Sequence, residues 1–147
     1  MAGTWRDYLS LMESLGKKLD ELTELERTKI RAVGSSDLEE LEACMKQEQV
    51  VSLSLRGMDQ KRDKLLSALG IAGVRLRDLV EHAPDELKQE TKEAAEQLRR
   101  KYELFQSASG VARNTLECNL HAIEQIQKAQ EGREPEEKPA RQSDFRA

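Results

Sequence analysis

The chain has few of the residues from which sheet-rich folds are built. Five of its 147 residues are aromatic, three are proline, and leucine outnumbers valine and isoleucine together by 20 to 10. β-Branched and aromatic side chains favour strands, whereas leucine enters a helix with little loss of rotamer freedom. The composition therefore argues against a sheet sandwich, a barrel or a Rossmann core.

Long hydrophobic runs and clustered cysteines are also missing. The longest uncharged stretches hold about eight residues, whereas a membrane span needs roughly 20 apolar residues. Arg6 and Asp7 stand where a secretory signal would have its apolar segment. The two cysteines, Cys44 and Cys118, lie far apart in the sequence, as is typical of a reducing compartment. We therefore expect a cytoplasmic protein.

No single charge dominates the sequence. It contains 24 basic and 28 acidic residues, for a formal net charge of −4. This balance implies no strongly basic face and argues against nucleic acid as the main partner. Ala, Glu, Lys, Leu and Arg make up 78 of the 147 residues, a share typical of long helices and coiled coils.

The segment from about Thr4 to Val33 has the periodicity of a helix, with Thr4 as a plausible N-cap. Gly16 inside this helix predicts a close approach to another backbone. The continuation of the apolar face is predicted to shift in phase through Leu25, Ile30 and Val33. Before that shift, apolar residues recur at alternating steps of three and four: Trp5, Tyr8, Met12, Leu15, Leu19 and Leu22.

A short turn then predicts an antiparallel helical hairpin. Gly34 can adopt the left-handed conformation that ends a helix, and Ser36 or Asp37 can cap the next one. So short a connection usually folds the second helix back against the first. The second helix should run from Leu38 to about Leu69.

The rest of the chain predicts a linking helix, a long third helix and a tail. The linking helix should cover about Arg75 to His82, and the third should begin at Pro84 and reach Ala129. Gly110 is a possible weak point in it. We therefore expect an all-α fold, an antiparallel long-helix hairpin plus a long third helix, forming an elongated three-helix bundle or coiled coil. Residues 1–130 would form the helical domain and 131–147 a disordered charged tail.

No catalytic motif is present. The sequence has no glycine-rich phosphate loop, nucleophile elbow or helical zinc motif. Cys118 and His121 have the spacing of two metal ligands on a helix, but a structural zinc site needs four, and Cys44 and His82 are remote in sequence. We predict a protein that is not an enzyme and uses no cofactor or metal.

The third helix carries two apolar stripes, and one packing seam needs only one of them. Both stripes could pack inside the bundle, or the second could bind an amphipathic helix of a partner. The first stripe is Leu98, Tyr102, Phe105, Ala112, Leu116, Leu120 and Ile123. The second is Leu104, Ala108, Val111, Cys118, Ala122 and Ile126.

The order of these elements resembles the FlgN family of flagellar export chaperones. The resemblance covers about residues 10–128 and rests on the turn at Gly34–Leu41, on Leu69-Gly70 at the end of the second helix, and on the leucines of the linking helix. The family's final helix carries asparagine and leucine in its second half, as this chain does at Asn114–Ile123. The extra Ser35-Ser36 in the turn departs from the family pattern.

The resemblance implies a cytoplasmic chaperone of type III export. Its partners would be hook-associated junction proteins of the FlgK and FlgL type, whose C-terminal amphipathic helices it would keep soluble, and the flagellar export apparatus. A structural coiled-coil protein that self-associates is the alternative, and a homo-oligomer is compatible with both. The expected client-binding residues are Val111, Asn114, Leu116, Asn119, Leu120, Ile123 and Ile126.

Overall fold

The computed structural model describes residues 4–119 together with 121, 124, 125, 128 and 129, and every regular element in that part of the chain is helical. The predicted all-α fold is therefore confirmed. The long helices are α1 (Trp5–Gly34), α2 (Leu38–Ala68) and α3 (Lys88–Cys118). Two 3₁₀ helices, Leu76–His82 and Asp85–Leu87, lie in the connecting segment, residues 69–87. The predicted tail at 131–147 lies outside the described residues.

Local capping fixes the start of α1. The Thr4 hydroxyl accepts a hydrogen bond from the Asp7 amide at 3.2 Å, and the Asp7 carboxylate accepts one from the Thr4 amide at 2.9 Å. This reciprocal pair satisfies two backbone donors that the first helical turn leaves free. The predicted N-cap at Thr4 is confirmed.

The turn between α1 and α2 forms as predicted, but its left-handed residue is different. Ser36 has a φ of 58°, whereas Gly34 is still helical. The Asp37 amide donates to the Ala32 carbonyl at 2.8 Å and closes the end of α1. The Asp37 carboxylate in turn accepts from the Glu40 amide at 3.0 Å, so Asp37 is the N-cap of α2. The left-handed position thus lies two residues after Gly34, directly before the N-cap of α2.

Helix α1 is the shared packing partner of the bundle. Its backbone runs close to both α2 and α3, whereas α2 and α3 hardly approach each other. Its buried face is accordingly wider than the narrow buried stripes of the other two helices. The largest fully buried side chains of α1 are Tyr8, Met12, Leu15 and Leu19.

The apolar face of α1 does not shift in phase after Leu22, so that prediction was wrong. Of the three residues predicted to continue it, Val33 is buried, but it lies on the unshifted face, and Leu25 and Ile30 are only half-buried. The same face instead continues through Glu26 and Lys29, which are 2% and 8% exposed. Charged side chains can occupy a buried stripe when they pair with one another, and these two are paired.

Gly16 does mark a close approach, but to a side chain rather than to a backbone. A Cβ atom at Gly16 would lie 3.2 Å from Cδ of Lys101 on α3. Lys101 lies across this position, and its Nζ reaches the Asp20 carboxylate at 2.9 Å. Because Gly16 has no side chain, there is room for the aliphatic part of Lys101, whose ammonium group pairs with Asp20 and so links α3 to α1.

The connecting segment is wound more tightly than predicted. Its helix at Leu76–His82 is 3₁₀, and a second 3₁₀ turn follows Pro84, so that α3 begins at Lys88 rather than at the proline. The side chain of Leu79 is fully buried. At the start of α3, the Thr91 hydroxyl accepts a hydrogen bond from the Trp5 indole nitrogen at 2.8 Å. This buried bond holds α3 against the first turn of α1.

Helix α3 is continuous through Gly110 and ends earlier than predicted. Asn119 leaves the helical conformation with φ −118° and ψ 59°. Its side-chain amide donates to the Thr115 carbonyl at 2.7 Å, which satisfies an acceptor in the last turn. The helix predicted from Pro84 to Ala129 therefore begins later than expected and is interrupted at Asn119, whereas the described residues beyond it, 121, 124, 125, 128 and 129, are helical.

The packing of α1 leads to a stability prediction. Leu15 is fully buried, and Leu53 on α2 is 65% exposed. We expect Leu15→Ala to lower the free energy of unfolding by about 2–5 kcal/mol because it leaves a cavity. Leu53→Ala, the matched control, should change it by less than about 0.5 kcal/mol. Chemical denaturation followed by circular dichroism measures both, and equal effects would contradict the burial of this face.

Candidate partner-binding surface

The first stripe of α3 packs inward. Leu98 is 3% exposed and Ala112 is 1% exposed. Tyr102 and Phe105 are partly buried and pack against the main core, while Leu116 packs against a smaller cluster formed by α1 and α2. One stripe is thus sufficient for the contacts of α3 within the bundle.

In the described part of the second stripe, Leu104, Val111 and Cys118 are exposed and Ala108 is half-buried. Leu104 is 55% exposed and Val111 is 50% exposed. Together with their neighbours on this face they form a row whose members are four, three, four and three residues apart, the spacing of a coiled-coil seam. We call this row the outer seam; its members are Leu104, Ala108, Val111, Thr115 and Cys118.

The polar member of the outer seam has its hydrogen bond satisfied within the helix. The Thr115 hydroxyl donates to the Val111 carbonyl at 2.8 Å. Such a back-bond leaves the threonine methyl group available for an apolar contact. Cys118, at the end of the seam, is exposed and free. The outer seam is therefore an apolar row in which the hydroxyl group of Thr115 already has a hydrogen-bond acceptor.

The predicted client-binding residues fall on different sides of α3. Val111 and Asn114 are exposed, as is Asn119. Leu116, by contrast, packs against Ala32, Val33 and Leu41 of the protein's own core. This side chain therefore already has apolar partners within the fold. Three further predicted residues lie outside the described part of the chain: Leu120, Ile123 and Ile126.

Leu104 was placed in the second stripe by sequence but was not among the predicted binding residues. It lies one heptad before Val111, and its exposure is the larger of the two. The spacing of seven residues was the signal that could have identified it. Helix α2 also exposes two large apolar side chains, Val50 at 59% and Leu53 at 65%.

All three long helices meet at a buried group of charges. Lys29 Nζ lies 2.8 Å from Glu26 Oε1 and 3.0 Å from Glu48 Oε1. Glu26 and Lys29 belong to α1 and Glu48 to α2, and Ser109 of α3 hydrogen-bonds to Glu26. The sequence signal for this group was the pair of charges at positions where the apolar period of α1 calls for core residues.

The two carboxyl groups of this cluster titrate in opposite directions. Burial raises the pKa of Glu48 to about 7, and a hydrogen bond to Glu26 that favours the protonated form adds to the effect. Burial also disfavours charge on Glu26, but hydrogen bonds from Glu48 and Lys29 outweigh it and hold the pKa of Glu26 below its usual value. Of the two carboxyl groups, Glu48 is therefore the one that is more readily protonated, and Glu26 the one that keeps its negative charge.

The metal hypothesis finds no geometric basis in the described residues. No group of three or more histidine, cysteine, aspartate or glutamate side chains there is arranged to hold a metal ion. Cys44 is buried and Cys118 is exposed.

No helix among the described residues is long and apolar enough to cross a membrane.

Comparisons with protein-family models, curated proteins and solved structures give no match to this chain. The resemblance to flagellar export chaperones thus remains a prediction from the sequence. What the structure defines is a class of architecture: a helical bundle organised around one central helix, with an apolar seam on the outside of α3.

Glu48 predicts a pH dependence of stability. Because folding raises its pKa from about 4.5 to about 7, its contribution is full below pH 4.5 and is lost as the pH rises through 7. We expect the free energy of unfolding to fall by on the order of 2 kcal/mol between about pH 5 and pH 8. Denaturation at several pH values measures this slope.

The variant Glu48→Gln should flatten that slope, since its amide does not titrate. Glu39, on the exposed side of the same helix, provides the matched control, and Glu39→Gln should keep the wild-type slope. A slope that survives in Glu48→Gln would show that another group carries the pH dependence.

Proposed function

We propose that this protein is a non-enzymatic chaperone that holds an amphipathic helix of a partner along the outer seam. The observation that carries the proposal is the exposure of Leu104 and Val111, at 55% and 50%, on a face with heptad spacing. An exposed apolar face of this kind is costly in water, and a partner helix with anchors at matching spacing covers it.

The composition of the seam favours a helix as its occupant. Ala108, which lies between the larger Leu104 and Val111, is small, as are Thr115 and Cys118 after Val111, so a second helix can approach closely at these positions. In coiled coils, such alternating positions form the holes that receive side chains from the partner. A flat sheet edge would leave most of these positions uncovered.

The biological role in this proposal comes from the sequence resemblance. The partner would be the C-terminal helix of a hook-associated junction protein, which exposes an apolar face before it assembles. Covering that face in the cytoplasm would keep the subunit unpolymerised, and release at the flagellar type III export apparatus would free both proteins. Supporting this role are the hairpin turn at Gly34–Leu41 and the order of helices.

Self-association through the same seam is the alternative. The heptad spacing that fits a foreign helix also fits α3 of a second copy. In that case light scattering over a concentration series would give a tight dimer, and substitutions in the seam would convert it to a monomer. A monomer that binds the junction-protein helix supports the chaperone instead.

The binding test uses a matched pair of double variants. Leu104→Asp with Val111→Asp places two charges in the outer seam, whereas Val50→Asp with Leu53→Asp places them on the exposed face of α2. The probe is a labelled synthetic peptide of the C-terminal helix of a junction protein, followed by fluorescence anisotropy. We expect the seam variant to bind at least about tenfold more weakly, because apolar anchors carry most of such an interface.

The α2 variant should bind within about twofold of the wild-type protein, since its charges lie away from the seam. Circular dichroism checks that both variants are folded. Undiminished binding by a folded seam variant, or equal loss in both variants, would contradict the assignment of the seam.

A further inference from the structure

A cleft opens at the other half of α3, away from the outer seam. Its walls are the second half of α2, the connecting segment and the first half of α3, and its volume is about 1000 Å³. It exists because α2 and α3 each pack on α1 while their backbones hardly approach each other. The 3₁₀ helix at Leu76–His82 lies in the resulting space as one wall.

The floor of this cleft is apolar. Leu66 and Leu76 lie at its base and are almost fully buried, at 1% and 4% exposure. Val74 and Val80 are half-buried and turn part of their surface into the cleft, and Ala95 of α3 completes the floor. Apolar surface of this kind gains free energy when another apolar group covers it.

The rim of the cleft is basic, although the net charge of the whole chain is negative. Five cationic side chains and only two anionic ones, Asp63 and Glu96, line it, whereas the complete sequence has a net charge of −4. The cations are Arg62, Arg75, Arg77, Lys92 and Arg99.

Most of this positive charge is not neutralised within the described part of the chain. Arg75, Arg77 and Lys92 are exposed and make no ion pair with a carboxylate there. Arg62 donates from Nε to the Tyr8 hydroxyl at 3.0 Å, a neutral partner. Arg99 pairs with Glu103 at 3.0 Å. Guanidinium groups held in this way remain able to bind an external carboxylate.

We propose that the cleft binds an acidic segment of a protein partner, with carboxylates on the arginine rim and an apolar side chain on the floor of Val74 and Val80. The apolar floor favours a peptide over a nucleic acid, because phosphates and sugars would leave that floor uncovered. This site goes beyond the outer seam and does not depend on the proposed chaperone function.

The test uses defined probes on the full-length chain. One is a labelled peptide of glutamate and leucine with helical spacing; its control has lysine in place of glutamate. A single-stranded oligonucleotide of equal charge is the third probe. We expect the glutamate–leucine peptide to bind and the lysine analogue not to bind, with affinity falling as salt rises from about 50 to about 200 mM.

The deciding variant is Arg75→Glu with Arg77→Glu, because both side chains are exposed and form no ion pair with a carboxylate in the described part of the chain. It should weaken peptide binding by about tenfold or more. Arg56→Glu with Arg113→Glu, the control, makes the same change of charge at exposed positions outside the cleft and should bind within about threefold of the wild-type chain.

Each contrary result overturns the inference in a recognisable way. Equal weakening in the two arginine variants would reveal attraction by overall charge alone. Tighter binding of the oligonucleotide than of the peptide would assign the cleft to nucleic acid. Loss of peptide binding in Leu104→Asp with Val111→Asp, but not in Arg75→Glu with Arg77→Glu, would place the peptide on the outer seam. Failure of the seam itself leaves this experiment unaffected.

Discussion

The fold depends on one helix that is buried from two sides. Only α1 has an apolar face wide enough to serve two neighbours, and α2 and α3 each bury a narrow stripe against it. In a symmetric three-helix bundle each helix would contact the other two, and little apolar surface would be left. Here the backbones of α2 and α3 hardly approach each other. Both the cleft beside the connecting segment and the exposed outside of α3 follow from that asymmetry.

The buried charged residues of α1 show how charged groups are accommodated between the helices of the bundle. Glu26 and Lys29 are removed from water and Glu48 is partly so, and their mutual contacts offset a desolvation cost that would otherwise be several kcal/mol for each buried ion. Apolar residues would fill the same positions without that cost. A charged group of fixed geometry, however, tolerates only one alignment of α1 against α2, and a stripe of leucines tolerates several.

Sequence reasoning succeeded where the signal was local. The N-cap at Thr4, the turn near Gly34 and the period of leucines are each contained within a few residues, and they predicted the helical class and the hairpin. The start of α3 was predicted too early, because residues Asp85–Leu87 have a sequence typical of an α-helix although they form a 3₁₀ turn. The left-handed conformation of Ser36 was missed because glycine has the stronger intrinsic preference for it.

Features that form from residues far apart in the sequence could not be predicted in this way. The basic cleft takes Arg62, Arg75 and Lys92 from three separate elements, while the overall charge averages them with the acidic remainder of the chain. The buried Glu48 lies in a weakly patterned part of α2, so nothing nearby marks it. The role of Lys101 at Gly16 links residues of two helices. In each case the chemistry arises only when the helices come together.

The two thiols provide an internal pair of chemical reporters. Cys118 is exposed at the end of the outer seam, whereas Cys44 is buried and its pKa is raised by that burial and by neighbouring carboxylates. An alkylating reagent should therefore modify Cys118 in the native protein and reach Cys44 only when the hairpin opens. One mass spectrum would then distinguish occupancy of the surface from loss of the fold, without adding any residue to the chain.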